Sequence, residues 1–329
     1  MITLEYDSLV FRFPQVHKNA QCSIGFQRTL RIPDDDRDYP LPPSLGCFPL
    51  RHLDDYVRRV PEGWRRRGGV LMPMYQAEAL WIDFACGEYP FAVKVAAGKS
   101  CAITGDSWLN HLNTDPQDYV VLPDQPWLDG FCVAKGVIRQ FVAMPLGEGY
   151  SVEEQLTGAA EHGGLQIIAY PMKAERYHEM VAEYADDVKY SGMLYAEAEP
   201  AMGLAPGGRM RQEIYEDSYG LDAWDQRHAS RCFITITNST QWQAVTGQRP
   251  PSPPPTAREY AKAGLPWFDY YGGDLEALAE TEKLREIASV AQIGAKKGGT
   301  PLPEKESVEV RDVIRLRRNG DTQVREMSA

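Results

Sequence analysis

Apolar and polar residues alternate over short stretches through most of the first 245 residues. Alternation with a period of two, interrupted by turn residues, is typical of β-strands joined by short connections. The clearest example covers residues 79–104, where turns separate "ALWIDFAC", "FAVKVAAGK" and "SCAITGD". The stretch "LQIIAYPM" is apolar almost throughout and predicts a central strand covered on both faces.

Helical spacing is limited to two segments before residue 250. Ser151 and Glu154 form a capping box at the start of "SVEEQLTG", and "KAERYHEMVAEYADD" has an apolar stripe. Strands and helices do not alternate, which argues against a doubly wound α/β fold. The pattern predicts a mainly β or α+β fold, with an antiparallel β-sandwich-like main domain over residues 1–245, a few flanking helices and a C-terminal arm.

The pattern changes after residue 245. Residues 246–273 predict a docking segment rich in proline and aromatic residues, in which "RPPSPPPTAREY" forms a polyproline II spacer. Residues 274–329 predict a helix that Asp274 caps and that runs to about Ala291. A flexible linker and a β-hairpin around Asn319-Gly320 complete this third region.

The docking segment contains an aromatic cluster, "PWFDYY". This much apolar area is unfavourable in water, so we expect it to be buried on the main domain or on another subunit. A protein partner or self-association would use the same side chains. The candidate partner-binding residues are Trp267, Phe268, Tyr270 and Tyr271.

Charge and composition restrict the classes of partner. The net charge of −11 has the wrong sign for neutralising phosphates, so we expect no nucleic-acid partner. No stretch has the roughly 20 apolar residues of a membrane helix, so we expect no membrane partner. The six cysteines are scattered without a CxxC pair and suggest reduced thiols in the cytoplasm.

An acidic segment, residues 213–228, carries the candidate chemistry. If a helical turn covers Leu221 to His228, then Asp222, Asp225 and His228 share one face and offer oxygen and nitrogen ligands to a divalent metal. Glu213, Asp225 and His228 are the candidate catalytic residues, with His228 as a base that Asp225 orients.

The same residues also suit a purely structural role. Asp222 is a natural helix N-cap, and Asp225 and His228 suit the two ends of the helix dipole. Nucleophile elbows and dinucleotide-binding loops are absent from the sequence. Two segments rich in methionine and tryptophan, "GGVLMPMYQAEALWIDF" and "PDQPWLDGF", are candidates for a cofactor pocket, although core packing is the simpler interpretation.

The sequence therefore favours a soluble cytosolic binding or structural protein that self-associates through its aromatic arm. The alternative is an acid–base or metal-assisted hydrolase that uses the acidic segment, with a divalent metal as its cofactor.

Overall fold

A computed structural model describes residues 1–35, 37–183, 202–271, 275–299 and 306–317 of the chain. The fold is predominantly antiparallel β-sheet with short helices, which confirms the predicted fold class. The strands are β1 (Ile2–Glu5), β2 (Ser8–Arg12), β3 (Gln21–Thr29), β4 (Asp38–Tyr39), β5 (Ser44–Cys47), β6 (Arg51–His52), β7 (Val70–Pro73), β8 (Ala79–Ala85), β9 (Phe91–Ala97), β10 (Ser100–Cys101), β11 (Val120–Leu122), β12 (Trp127–Leu128), β13 (Gly130–Ala134), β14 (Val137–Pro145), β15 (Leu165–Pro171), β16 (Met202–Arg211), β17 (Ser230–Thr237), β18 (Trp267–Tyr271) and β19 (Val313–Arg317).

The strand pairings follow two ladders. The first runs β1–β2–β3–β8–β14–β16 and is antiparallel throughout. The second runs β7–β17–β15–β9–β11 and has one parallel pair, β7 with β17. A single residue pair between β16 and β17, Met202 with Ile236, joins the two. These pairings are compatible with the predicted sandwich.

The second ladder contains the most deeply buried strands. Every residue of β9 and of β15 is buried, as the apolar run "LQIIAYPM" predicts for a strand covered on both faces. The one charged residue in β9 is Lys94, whose Nζ lies 2.5 Å from Oδ2 of Asp118 and donates to the His111 carbonyl at 2.8 Å. A buried ammonium is tolerated when a carboxylate and further acceptors surround it.

Seven short α-helices flank the sheets in the part of the chain that the structure describes, and none of them is long and apolar enough to cross a membrane. The predicted capping box is confirmed: the Glu154 N–H donates to Oγ of Ser151 at 3.2 Å. The predicted amphipathic helix is also present and buries Tyr177. The helices are α1 (Glu62–Arg67), α2 (Val152–Thr157), α3 (Ala174–Glu183), α4 (Ser239–Thr246), α5 (Ala257–Lys262), α6 (Glu282–Arg285) and α7 (Val290–Lys296).

The proline run lies against the first ladder through its backbone carbonyls. The Tyr75 hydroxyl donates to the Pro251 carbonyl at 2.6 Å, and Nη2 of Arg28 donates to the Ser252 carbonyl at 2.8 Å. Arg28 in turn forms a buried salt bridge with Glu78 at 2.6 Å. A polyproline II segment makes no hydrogen bonds within itself, so its backbone carbonyls can accept from donors elsewhere in the chain.

The C-terminal region differs from its prediction. A continuous helix up to Ala291 is wrong, because α6 ends at Arg285 and α7 begins only at Val290, after Ser289 caps it. Asp274 and the Asn319-Gly320 turn lie outside the described residues. The predicted division at residues 245 and 273 remains a prediction.

Candidate functional site

The acidic segment has less helix than its spacing predicts. A 3-10 turn covers only Leu221–Ala223, and Trp224 is already extended and bridges to Met172. Because the chain leaves the helical conformation between them, Asp222 and Asp225 do not recur on one helix face. The predicted helical turn up to His228 is therefore wrong.

Asp225 and His228 are in direct contact. Oδ2 of Asp225 lies 2.8 Å from Nδ1 of His228, and Oδ1 accepts from the Arg227 N–H at 3.0 Å. Burial acts to raise the pKa of Asp225, but the hydrogen bonds from His228 and the backbone outweigh it, so the pKa lies below its ordinary value. The His228 side chain is 42% exposed, whereas the Asp225 side chain is 9% exposed, so the imidazole lies at the surface and the carboxylate lies beneath it.

The other two predicted site residues lie apart from this pair. Asp222 is fully exposed, with Nζ of Lys173 at 3.9 Å from its Oδ1. Glu213 is half-buried, and no hydrogen bond joins its side chain to Asp225 or His228. Among the described residues, no group of three or more His, Cys, Asp or Glu side chains is arranged to hold a metal. The predicted ligand set of Asp222, Asp225 and His228 is thus not assembled.

Asp217 organises the acidic segment. Its Oδ2 accepts from the Tyr119 hydroxyl at 2.6 Å and from Nε1 of Trp224 at 2.8 Å, while Oδ1 accepts from the Tyr219 and Gly220 N–H groups. This carboxylate has its acceptor capacity filled by the protein's own donors. The segment is therefore held together by a structural acid that the sequence reasoning did not single out.

The aromatic cluster docks on the chain's own body. Phe268 and Leu41 exchange two backbone hydrogen bonds, of 2.7 and 2.9 Å, and Arg211 forms a salt bridge with Asp269 at 2.8 Å. Trp267 is only 1% exposed and lies beside Tyr39, with 6.3 Å between the ring centroids. β18 pairs in parallel with β19, so the two strands form a small sheet that covers the first ladder.

A cavity of about 220 Å³ lies between this small sheet and the first ladder. Trp81 comes from β8, Trp127 from β12, and Phe268 and Leu316 from the arm. The walls are mostly apolar, with one ionisable side chain. The lining residues are Leu41, Pro42, Pro43, Ser44, Trp81, Trp127, Asp129, Phe268 and Leu316.

The tryptophans meet at steep angles. The ring centroids of Trp81 and Trp127 are 6.3 Å apart with an interplanar angle of 67°, and Tyr270 lies edge-on to Trp127 at 4.6 Å. Edge-to-face contacts of this kind are favourable and hold rings at fixed orientations. Nε1 of Trp81 is buried and donates no hydrogen bond to any residue that the structure describes. An unpaired buried donor is unfavourable, and because this nitrogen has almost no accessible surface it does not face the open space of the cavity.

Asp129 is the ionisable residue of the cavity and is 3% exposed. Its Oδ2 accepts from Nε2 of Gln212 at 2.7 Å. Burial raises the pKa of Asp129 to about 7, against hydrogen bonds from the side chains of Trp127 and Gln212 that lower it. No cation contributes to this balance, so the carboxyl group changes charge near neutral pH.

The sequence pointed to this region only indirectly. Trp81, Trp127 and Asp129 lie in the two segments considered for a cofactor pocket, while Met72 and Met74 in the same segments are core residues, as the simpler interpretation predicts. Nothing in the spacing shows that the arm closes the cavity. No protein-family model, curated protein or solved structure matches the chain.

Proposed function

We propose that the protein is a binding protein that holds a small organic ligand in the cavity between the first ladder and the arm. The observation that supports this is the combination of mostly apolar walls, two of them tryptophans, with one ionisable group, the Asp129 carboxyl, whose pKa burial raises. Ligand sites are typically apolar and concave, with few polar groups that fix orientation. A perturbed acid in such a cavity is a common feature of functional sites.

The proposal assigns a different role to the aromatic cluster. Trp267 is buried, and Phe268 and Tyr270 contact the chain's own body. These side chains would form and stabilise a wall of the ligand site. The Tyr271 side chain lies outside the described part of the chain. A protein partner or self-association through the aromatic arm remains a prediction.

Intrinsic fluorescence provides the test, because Trp81 and Trp127 would report on a ligand between them. We expect some members of a panel of small non-fluorescent organic molecules, both neutral and cationic, to change the tryptophan emission and to raise the melting temperature. Ligand that binds only the folded state must stabilise it. If no compound does either, the proposal is wrong.

A pair of substitutions on β19 localises the effect. Leu316→Trp narrows the cavity and should abolish binding, whereas Val313→Trp adds the same ring on the other face of the strand and should not. The two positions are matched in exposure, at 39% and 38%. Equal loss of binding in both variants would place the ligand elsewhere.

Cytoplasmic location is part of the proposal. All six cysteines are free and buried, which suits a reducing compartment. The sign of the net charge argues against a nucleic-acid partner. Redox-sensitive labelling of the thiols in cells would test the location, since oxidised cysteines would contradict it.

A second candidate is acid–base hydrolysis at the acidic segment. The contact of 2.8 Å between Asp225 and His228 favours it, because a carboxylate can orient an imidazole base. Activity against simple esters that His228→Ala abolishes and His111→Ala retains would support it. Absence of any activity that depends on His228 would exclude this candidate.

A further inference from the structure

Three aromatic side chains line the cavity. They are Trp81, Trp127 and Phe268, and the planes of the two tryptophan rings are 67° apart. The face of an aromatic ring carries partial negative charge and attracts cations. Three rings around one space form a cage of the type that holds methylated ammonium groups.

The charge of the cavity has one sign. Among the described residues that line it, Asp129 is the one ionisable side chain, and none is a lysine, arginine or histidine. A buried carboxylate without a cation is unfavourable, and a positively charged ligand would supply the missing partner. Charged side chains on neighbouring strands are engaged elsewhere: Asp83 accepts from Gln27, Arg139 contacts Asp34 and Arg211 contacts Asp269.

The third feature is size. The volume of about 220 Å³ is below that of most pockets for drug-sized ligands. The ligand must therefore be small as well as positively charged.

We infer that the ligand of this cavity is a small methylated ammonium ion. The inference rests on the proposed binding function and narrows it to one chemical class. The aromatic rings and Asp129 hold the ammonium group. A primary ammonium is less suitable, because its strongly hydrated N–H groups would lose water without enough acceptors.

The test compares choline with its neutral carbon isostere, 3,3-dimethylbutan-1-ol, by titration calorimetry on the full chain. The two have nearly the same shape, so only the charge distinguishes them. We expect choline to bind at least about tenfold more tightly, as cation–π contacts and one carboxylate imply. Choline affinity should increase between pH 6 and pH 8, because Asp129 loses its proton in this range.

Three variants make the test specific. Asp129→Asn should weaken choline at least about tenfold and leave the isostere unchanged, whereas Asp222→Asn, which removes a charge at the exposed surface, should leave both unchanged. Trp81→Phe replaces an indole by a ring that attracts cations less strongly, so it should weaken choline and tetramethylammonium alike.

The outcomes separate the two levels of the proposal. If choline and the isostere bind equally, the ammonium inference is wrong and the binding function stands. The same holds if neither binds while a neutral compound of the panel does. If no compound binds at all, both are wrong.

Discussion

The acidic segment and the cavity lined by Trp81 and Trp127 shift the pKa values of their aspartates in opposite directions. Asp225 lies beside His228 and backbone donors, and its pKa is lowered. Asp129 lies among apolar walls with two neutral donors, and burial raises its pKa to about 7. Residues 213–228 contain five carboxylates, yet the hydrogen bonds of Asp217 and Asp225 serve local structure. One isolated acid in an apolar cavity is the more unusual arrangement.

The difference shows that the number of acids in a segment says little about chemistry. Asp225 has its oxygens occupied by donors from its own loop, and Asp217 by donors from that loop and by the Tyr119 hydroxyl. Such acids hold a fold together and have little capacity left for a ligand. Asp129 has no cationic partner, so an added group can still improve its environment.

The largest expected effect is on the arm that closes the cavity. Trp267→Ala removes a side chain that is 1% exposed, and we expect the unfolding free energy to fall by about 3–5 kcal/mol because a buried indole is lost. Chemical denaturation measures this. Leu265→Ala, at a position that is 47% exposed, is the control and should change stability by no more than about 0.5 kcal/mol. Equal effects would show that the arm is not docked.

The second prediction concerns the organising acid of the acidic segment. Asp217→Ala leaves the Tyr119 hydroxyl and the Trp224 indole N–H without their acceptor, and should lower the unfolding free energy by about 3 kcal/mol. Asp222→Ala should leave it unchanged to within about 0.5 kcal/mol, since Asp222 is fully exposed. A stable Asp217→Ala protein would mean that the segment is free to act as a site.

The third prediction uses pH. With its folded pKa raised to about 7, Asp129 stabilises the fold fully below the pKa of the unfolded chain, and this contribution is lost as the pH rises through about 7. Relative to Asp129→Asn, wild-type protein should lose about 2–3 kcal/mol between pH 5 and pH 8. Denaturation of both proteins across this range measures the difference. A difference that does not vary with pH would show that Asp129 is ionised throughout.

We expect the smallest effect at Asp225, where the pH dependence of stability has the opposite sign to that at Asp129. Its folded pKa is lowered, so its contribution is present above the unfolded pKa and is lost as the pH falls through the folded pKa. Asp225→Asn should cost about 1 kcal/mol at pH 7 and less in acid. If the loss were larger in acid than at pH 7, the contrast with Asp129 would be wrong.

Short-range sequence patterns predicted those features of the fold that depend on neighbouring residues. Alternation predicted the strands around residues 79–104, and the capping box of Ser151 and Glu154 predicted the start of α2, because these signals act over a few residues. The arm helix was wrong because Ser289 begins a new helix within its range, and a capping serine outweighs a continuous apolar stripe.

The candidate site could be predicted only in part for the same reason. Contact between Asp225 and His228 depends on three residues of spacing. The cavity depends on contacts between β8, β12 and the arm, whose separation along the chain leaves no periodic trace. The raised pKa of Asp129 follows from burial, and burial depends on the finished fold.

The proline run has a consequence for when the cavity comes into being. Arg28 and Ser252 are 224 positions apart, and Phe268 and Leu316 lie still further along. The free-energy cost of closing a loop grows only slowly with loop length. Contacts between residues that are far apart in the sequence nevertheless form slowly. During synthesis the tryptophans would emerge long before the wall that faces them. A ribosome-bound or cleaved chain that ends before Trp267 would contain both rings and Asp129, yet would have no enclosed space for a ligand.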